Sequence, residues 1–339
     1  MIEKTLKVKS FILMAAMPPT IGHVDLINFA RNLTGDAKVI LVTRGDEPFQ
    51  EERFEALTEH FKNSEGIELL QLHQDGLEAE GDEYWADVLA DFGFVKNDIL
   101  VASEDWGAVI ADMLDGQFFP YDMNREIRYT KATAIREDIE ANWAWIIPEF
   151  QRKLQKRIVI FGAESTGKTT LAKNLKKAFK DSVTVFEYAR PYLELTPGEL
   201  DVPKMHGIWR GQKALQETVE QMIPTPRVVF LDTDLYTTLG YWEFWNPASV
   251  PNGLREDAEL MKADLYILLK SNIPFEADPI RLGGDKREQD DDYWKGVLEA
   301  NNLPYIELDV SGVNARVIEG RTIVRDFIPK GVDHVRLDG

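Results

Sequence analysis

The chain reads as α/β, two doubly wound parallel-sheet domains in tandem, and three observations predict this. Apolar strand-like runs alternate with helix-like segments through the first half. The same rhythm restarts after a polar, basic stretch from Ile146 to Lys156 that contains Pro148. At the restart, residues 157–180 read RIVIFGAESTGKTTLAKNLKKAFK, a glycine-rich loop set between a strand-like and a helix-like run. With 339 residues there is enough chain for two ordinary cores, expected over 1–150 and 156–330.

In the first half, Val8 to Ala15 reads as a strand, Gly22 to Asn32 as a helix, and Lys38 to Thr43 as a second strand. Glu51 to Phe61 suggests a helix and Ile67 to Leu72 a third strand. A helix over Tyr84 to Phe92 then leads to an apolar strand, Asp98 to Ala102. The expected strands of the second half are Arg157 to Phe161, Val183 to Glu187, Val228 to Asp232, Asp264 to Leu269 and Tyr305 to Leu308. From Pro329 onward the sequence suits a loose tail or an edge strand.

Composition narrows the function classes. Hydrophobic residues at 44% and charged residues at 29% are those of a globular protein in water. With no cysteine, disulfides and thiolate metal sites are excluded, which suits a reducing compartment. The apolar run Phe11 to Met17 is too short to span a bilayer and no small-residue cleavage site follows it. The expectation is a cytoplasmic protein without a membrane partner. A net charge of −19 argues against nucleic acid, whose phosphates require basic patches.

Gly162, Gly167, Lys168 and Thr169 complete the pattern GxxxxGK[ST]. Glycines let backbone N–H groups converge on phosphate oxygens, and the following helix N-terminus adds positive potential. Ser165, Thr166 and Thr170 belong to the same nucleotide-binding stretch. Lys168 is placed to reach the β/γ-phosphates and Thr169 to hold Mg2+, with ATP as substrate. VVFLDTD (Val228 to Asp234) is an apolar strand ending in carboxylates, with Asp232 the first choice for the metal and Asp234 the second, and a helix-capping Asp the alternative for either. TVFEYAR brings Glu187 and Arg190 to another strand end, either a carboxylate to orient or deprotonate an acceptor hydroxyl with a guanidinium for phosphate, or a surface ion pair. Arg281 and Arg287, in RLGGDKREQDDD, suit either a lid over the transferring phosphoryl group or a solvated loop. The NKxD signature of GTPases and the LSGGQ signature of transporter ATPases are both missing, which favours a small-molecule kinase.

A second constellation lies upstream. The first strand runs into MPPTIGHVDLINFA, where Thr20, Gly22 and His23 form a TxGH element at a strand-to-helix turn. His23 at a helix N-terminus can donate to an α-phosphate during in-line attack. TxGH resembles the HxGH signature of the nucleotidyltransferase superfamily. YTKATAIRE (Tyr129 to Glu137) resembles that family's ISSTxxR signature, with Ala132, Thr133 and Arg136 matching its latter part. The resemblance implies that Thr133 and Arg136 bind the β/γ-phosphates of ATP and that Arg136 stabilises departing pyrophosphate.

Taken in order, TIGH, ATAIRED, NWAWIIPEF, GAESTGKTT, EYAR, FLDTD and DLYILLKSNIPFEAD are similar to the bifunctional NadR-type family over roughly residues 8–328. That family joins a nicotinamide-nucleotide adenylyltransferase to a ribosylnicotinamide kinase. The resemblance implies an N-terminal HxGH nucleotidyltransferase Rossmann-like domain and a C-terminal P-loop kinase domain. It implies ribosylnicotinamide, nicotinamide mononucleotide and ATP as small-molecule substrates, with Glu187 or Asp232 handling the hydroxyl proton. A cationic nicotinamide ring favours aromatic faces. Trp106 is the candidate in the first site, Phe186 and Trp209 in the second, with ordinary core packing the alternative for each. Met14 and Ala16 stand where the family's approach to HxGH carries glycine and an aromatic. No room precedes Val8 for the helix-turn-helix domain of some members, and the acidic balance speaks against a repressor. Three other readings stay open: a kinase with a degenerate first domain, another cytidylyl- or adenylyltransferase fused to a nucleoside kinase, and a nucleotide-sensing module without turnover.

Overall fold

Among the described residues, ten short strands assemble into two separate parallel sheets of five. The computed structural model describes residues 7–45, 47–74, 81–129, 131–273 and 287–331, with the side chains of 287–289 excepted. The chain divides into two compact units. The first ends at Lys153 and takes in Lys330, and the second spans Leu154–Pro329.

The strands of the first unit are β1 (Ser10–Met14), β2 (Ala37–Arg44), β3 (Ile67–Gln74), β4 (Ile99–Ala102) and β5 (Gln117–Pro120). They lie in the order β3-β2-β1-β4-β5, all parallel, with Ser10 opposite both Ala37 and Ile99. The chain therefore builds outward from β1 on one side and returns on the other. The switch point falls between β1 and β4, and a crevice opens beyond their carboxyl ends. Helices cover the sheet, so its central strands are apolar on both faces. Phe11, Leu13, Ile40, Val42 and Leu100 pack with Leu89, Phe94 and Ile110 in one buried cluster.

Element boundaries moved for identifiable reasons. Val8 is 37% exposed and precedes β1, which ends at Met14 because Ala16 turns with a φ of 45°. β3 runs on to Gln74, its end hidden in the sequence by the polar residues of a half-buried edge strand. β5 was not anticipated: QFFP has four residues, polar and proline ends, and an edge position. The helix Trp106–Met113 was likewise not anticipated.

The second unit has β6 (Lys156–Phe161), β7 (Ser182–Val185), β8 (Val228–Leu231), β9 (Leu265–Leu269) and β10 (Tyr305–Leu308). Their order is β10-β9-β6-β8-β7, again all parallel, so the strand feeding the glycine-rich loop is central. The two-residue period of the strands sorts their side chains into two cores. Val159, Phe161, Val229, Leu231, Tyr266 and Leu268 enter one, and Ile158, Ile160, Phe230, Leu265 and Ile267 the other. β7 stops at Val185, leaving Phe186 and Glu187 beyond the strand. Asp264 precedes β9 and binds the Arg157 backbone N–H at 2.7 Å. Of the expected tail, Lys330 belongs to the first unit, where its carbonyl accepts from the Ile139 N–H at 3.0 Å, and residues 332–339 lie outside those described. No helix among the described residues is long and apolar enough to cross a membrane.

Candidate functional site

β6 ends at Phe161 and the chain turns sharply into the glycine-rich loop. Gly162 has φ 127°, and a Cβ on it would stand 2.7 Å from the Leu269 carbonyl oxygen. Gly167 has φ 87° and opens the helix Lys168–Ala178. Both positions lie where only glycine is unstrained. Thr166 Oγ1 donates to the Ala163 carbonyl at 2.8 Å, and Lys168 Nζ donates to the Gly162 and Ala163 carbonyls, each at 2.8 Å. Lys168 thus lies across its own loop, at the helix N-terminus where anions are favoured.

Thr169 Oγ1 donates to Asp232 Oδ2 at 2.6 Å, joining the loop to the end of β8. Burial pushes the Asp232 carboxyl up, opposed by the Thr169 hydroxyl and by Lys168, Lys173 and Arg190. Hard oxygen donors in this pairing fit Mg2+. Asp234 has a different task. It accepts from the Thr237 N–H at 2.8 Å, the Thr237 hydroxyl at 2.7 Å and the Tyr266 hydroxyl at 2.9 Å, and so caps the helix Leu235–Trp245. Every one of these partners satisfies a buried carboxylate, and the second-choice metal ligand is a structural cap.

The loop lines a cavity of about 420 Å³ together with Thr170, Glu187, Arg190, Thr233, Tyr241, Asn272 and Ile273. Beside it is a larger one, about 660 Å³, walled by Tyr241, Phe244, Trp245, Tyr293 and Trp294, with Glu187 and Asp290 as acids. Glu164, Glu187, Thr233 and Tyr241 line both. Glu187 is therefore on the wall common to the phosphate loop and the aromatic cavity. Buried Gln212 fixes this wall: its Oε1 accepts from the Tyr188 N–H at 2.9 Å and its Nε2 donates to the Thr233 carbonyl at 2.8 Å.

Phe186 and Trp209 line neither cavity. Phe186 is 48% exposed, between the end of β7 and the helix Ala189–Leu195. Trp209 Nε1 donates to Asp257 Oδ2 at 2.9 Å, and its ring packs on His206. It sits one residue, and so about 100°, around the helix from cavity-lining Ile208. The aromatic wall comes instead from YWEFW and DDDYW, runs that carry no motif in the sequence. Arg281 lies outside the described residues, and Arg287 opens the helix Arg287–Ala300 with its side chain outside them.

In the first unit, Thr20 caps the helix Ile21–Thr34, and His23 closes a reciprocal capping box with it. The Thr20 N–H donates to His23 Nδ1 at 3.1 Å, and the Thr20 hydroxyl lies 2.8 Å from the same nitrogen. Nδ1 thus accepts, and Nε2 carries the proton. Burial, with help from the positive charge of Arg125, lowers the His23 pKa to about 4, so the ring is a neutral donor near pH 7. A Cβ on Gly22 would meet only Thr20 Oγ1, at an ordinary 3.6 Å. The fold itself does not demand glycine there.

Thr133 and Arg136 stand on the helix Ala132–Glu137. Arg136 Nη1 donates to the Met17 carbonyl at 2.9 Å and Nη2 to Thr133 Oγ1 at 3.3 Å, which brings the two upstream motifs together. Fully buried Arg53 braces the same turn, donating to the Ala15 carbonyl at 3.1 Å and to Glu47 Oε2 at 2.7 Å. Beyond β1 and β4 lies a cavity of about 600 Å³ that includes Met14, Met17, Glu47, Trp85, Trp106 and Arg136. Trp106 donates to Glu104 Oε2 at 3.1 Å. Trp85 was missed because its helix reads as ordinary amphipathic surface. Thr20, Gly22 and His23 follow the same turn but do not line this cavity.

Fold and loop define the class: a two-part α/β protein whose second unit is built on a kinase-like P-loop. The AAA domain family matches residues 157–316. The chain is homologous to the "Trifunctional NAD biosynthesis/regulator protein NadR" of Escherichia coli (strain K12), with 23% identity over 332 residues, 91% of this chain and 80% of that protein. The NadR protein of Salmonella typhimurium (strain LT2) is 21% identical over the same shares. A crystal structure of NadR protein in complex with NR superposes with a TM-score of 0.66 at 20% identity, covering 98% of this chain and 99% of that one. Another, of NadR protein in complex with NAD and AMP-PNP, gives 0.66 at 22%, covering 97% and 98%. The fold of these proteins is shared along nearly the entire chain.

Proposed function

We propose that this chain is an enzyme of NAD biosynthesis with two ATP-dependent activities, a ribosylnicotinamide kinase in the second unit and a nicotinamide-nucleotide adenylyltransferase in the first. The observation that carries the reading is the wall shared by the phosphate-loop and aromatic cavities, where Glu187 stands between them. Homology to NadR, whose relatives bind NR, NAD and AMP-PNP, supplies the substrate class.

In the kinase reaction the 5′-hydroxyl oxygen bonds to the γ-phosphorus of ATP while the bond to the β-phosphate oxygen breaks, releasing ADP. Glu187 accepts the hydroxyl proton, and Lys168 and Arg190 hold charge on the phosphoryl oxygens. Thr169 and Asp232 would hold Mg2+, which when bound neutralises charge on the β/γ-phosphates. The cationic nicotinamide ring is received by the aromatic wall and its acids.

In the adenylyl transfer a phosphate oxygen of the mononucleotide bonds to the α-phosphorus of ATP and pyrophosphate departs. His23 donates from Nε2 to the α-phosphate, Thr133 and Arg136 receive the β/γ-phosphates, and Gly22 leaves the helix end open to close approach. Trp106, joined by Trp85, faces the nicotinamide. A kinase-only reading draws on one observation, that His23 does not line the first-unit cavity.

Product analysis after incubation with ribosylnicotinamide, Mg2+ and ATP tests the proposal. NAD formed through the mononucleotide is the expected result. Mononucleotide alone leaves only the kinase; no product refutes the kinase, and NAD formation from supplied mononucleotide and ATP then decides the adenylyltransferase.

A further inference from the structure

Arg316 lies in the first turn of the helix Val313–Phe327, 3% exposed, and its guanidinium is bonded through all three nitrogens. Its Nε donates to the Val310 carbonyl at 2.9 Å, Nη1 to the Thr166 carbonyl, and Nη2 to the Lys270 carbonyl at 2.5 Å and to Asn272 Oδ1. These oxygens belong to three segments: the phosphate loop, the turn after β9 and the turn after β10. All are neutral, and among the described residues Arg316 forms no ion pair. A buried arginine normally has a carboxylate against it. Here Asp291 and Asp309 act on the charge from a distance without bonding to it, and a Cβ on Gly167 would stand 3.9 Å from Nη1.

The same side chain organises the far end of the cavity. Asn272 accepts from Arg316 through Oδ1 and donates through Nδ2 to Asp309 Oδ1 at 2.8 Å, so its amide orientation is fixed. Asn272, Ile273, Gly312 and Val313 line the cavity away from Lys168. With triphosphate on the loop, that end receives the base.

We propose that Arg316 is a positioning residue for the nucleotide, locking the phosphate loop and the base slot into one piece and placing positive charge beneath the phosphates. This rests on reading the cavity as the ATP site.

Full-length protein is titrated calorimetrically with AMP-PNP–Mg2+ and with tripolyphosphate–Mg2+, a probe without a base, with thermal melts alongside. In Arg316→Met both ligands weaken by about tenfold or more, and Arg316→Lys restores part of the loss. Asn272→Ala, which keeps the buried charge, weakens AMP-PNP and leaves tripolyphosphate within about twofold of wild type. In steady state, KM for ATP rises in Arg316→Lys while KM for ribosylnicotinamide holds. Folded Arg316 variants that bind both ligands like wild type overturn the inference. Equal loss of both ligands in Asn272→Ala overturns its base-slot half. Wild type that binds AMP-PNP but makes no mononucleotide sinks the functional reading and leaves this one standing. Wild type that binds neither ligand sinks both.

Discussion

Thr20 donates two hydrogen bonds toward a single acceptor, His23 Nδ1, and this fixes both the tautomer and the charge of the ring. With a folded pKa near 4 against an ordinary 6.5, the unfolded chain holds a proton that the folded chain lacks between those values. Stability contributed by the neutral ring is full above pH 6.5 and is lost as pH falls toward 4. An NMR titration of the His23 ring is expected to show a midpoint near 4; a midpoint near 6.5 contradicts the assignment. Removing this donor in His23→Ala is expected to slow adenylyl transfer by about 100- to 1,000-fold, measured as NAD formed from the mononucleotide and ATP. A loss under threefold would mean that His23 only caps its helix. Residues of this kind were legible because a motif fixes their spacing locally. Arg316 was not, since its partner Thr166 lies 150 residues away in sequence.

Helix and strand ends decide which carboxylate does what. Asp232 and Asp234 are two residues apart, yet one faces the phosphate loop and the other caps the next helix. Asp234→Ala removes the cap and leaves the buried Tyr266 hydroxyl without its acceptor, so a loss of about 2 to 4 kcal/mol is expected in urea unfolding. Asp232→Ala is expected to fold nearly as well as wild type while nucleoside phosphorylation falls by at least about 100-fold. The reverse pattern would exchange their roles. Spacing alone left both residues eligible. Strand β5 escaped for a related reason, because four half-exposed residues at a sheet edge carry too little apolar period to register.

Each unit has its own sheet and its own buried clusters, so its site is held by its own core. Lys168→Ala is therefore expected to abolish mononucleotide formation from ribosylnicotinamide while NAD formation from supplied mononucleotide persists. His23→Ala does the opposite, and mononucleotide accumulates. Chromatography of the products checks both, and loss of both reactions in either variant would show that the sites do not work independently.

The sequence by itself determined the two parallel sheets, the phosphate loop with Lys168 and Thr169, and the TxGH turn, because each rests on short-range periodicity or on glycines and caps within one turn. Only the tertiary structure decided that Arg136 holds the Met17 carbonyl, that Asp234 is a cap, and that YWEFW and DDDYW rather than Phe186 and Trp209 wall the second cavity. Those outcomes depend on which segments the sheet order brings side by side, and on a single residue's rotation around a helix or strand. Neither leaves a local signature in the chain.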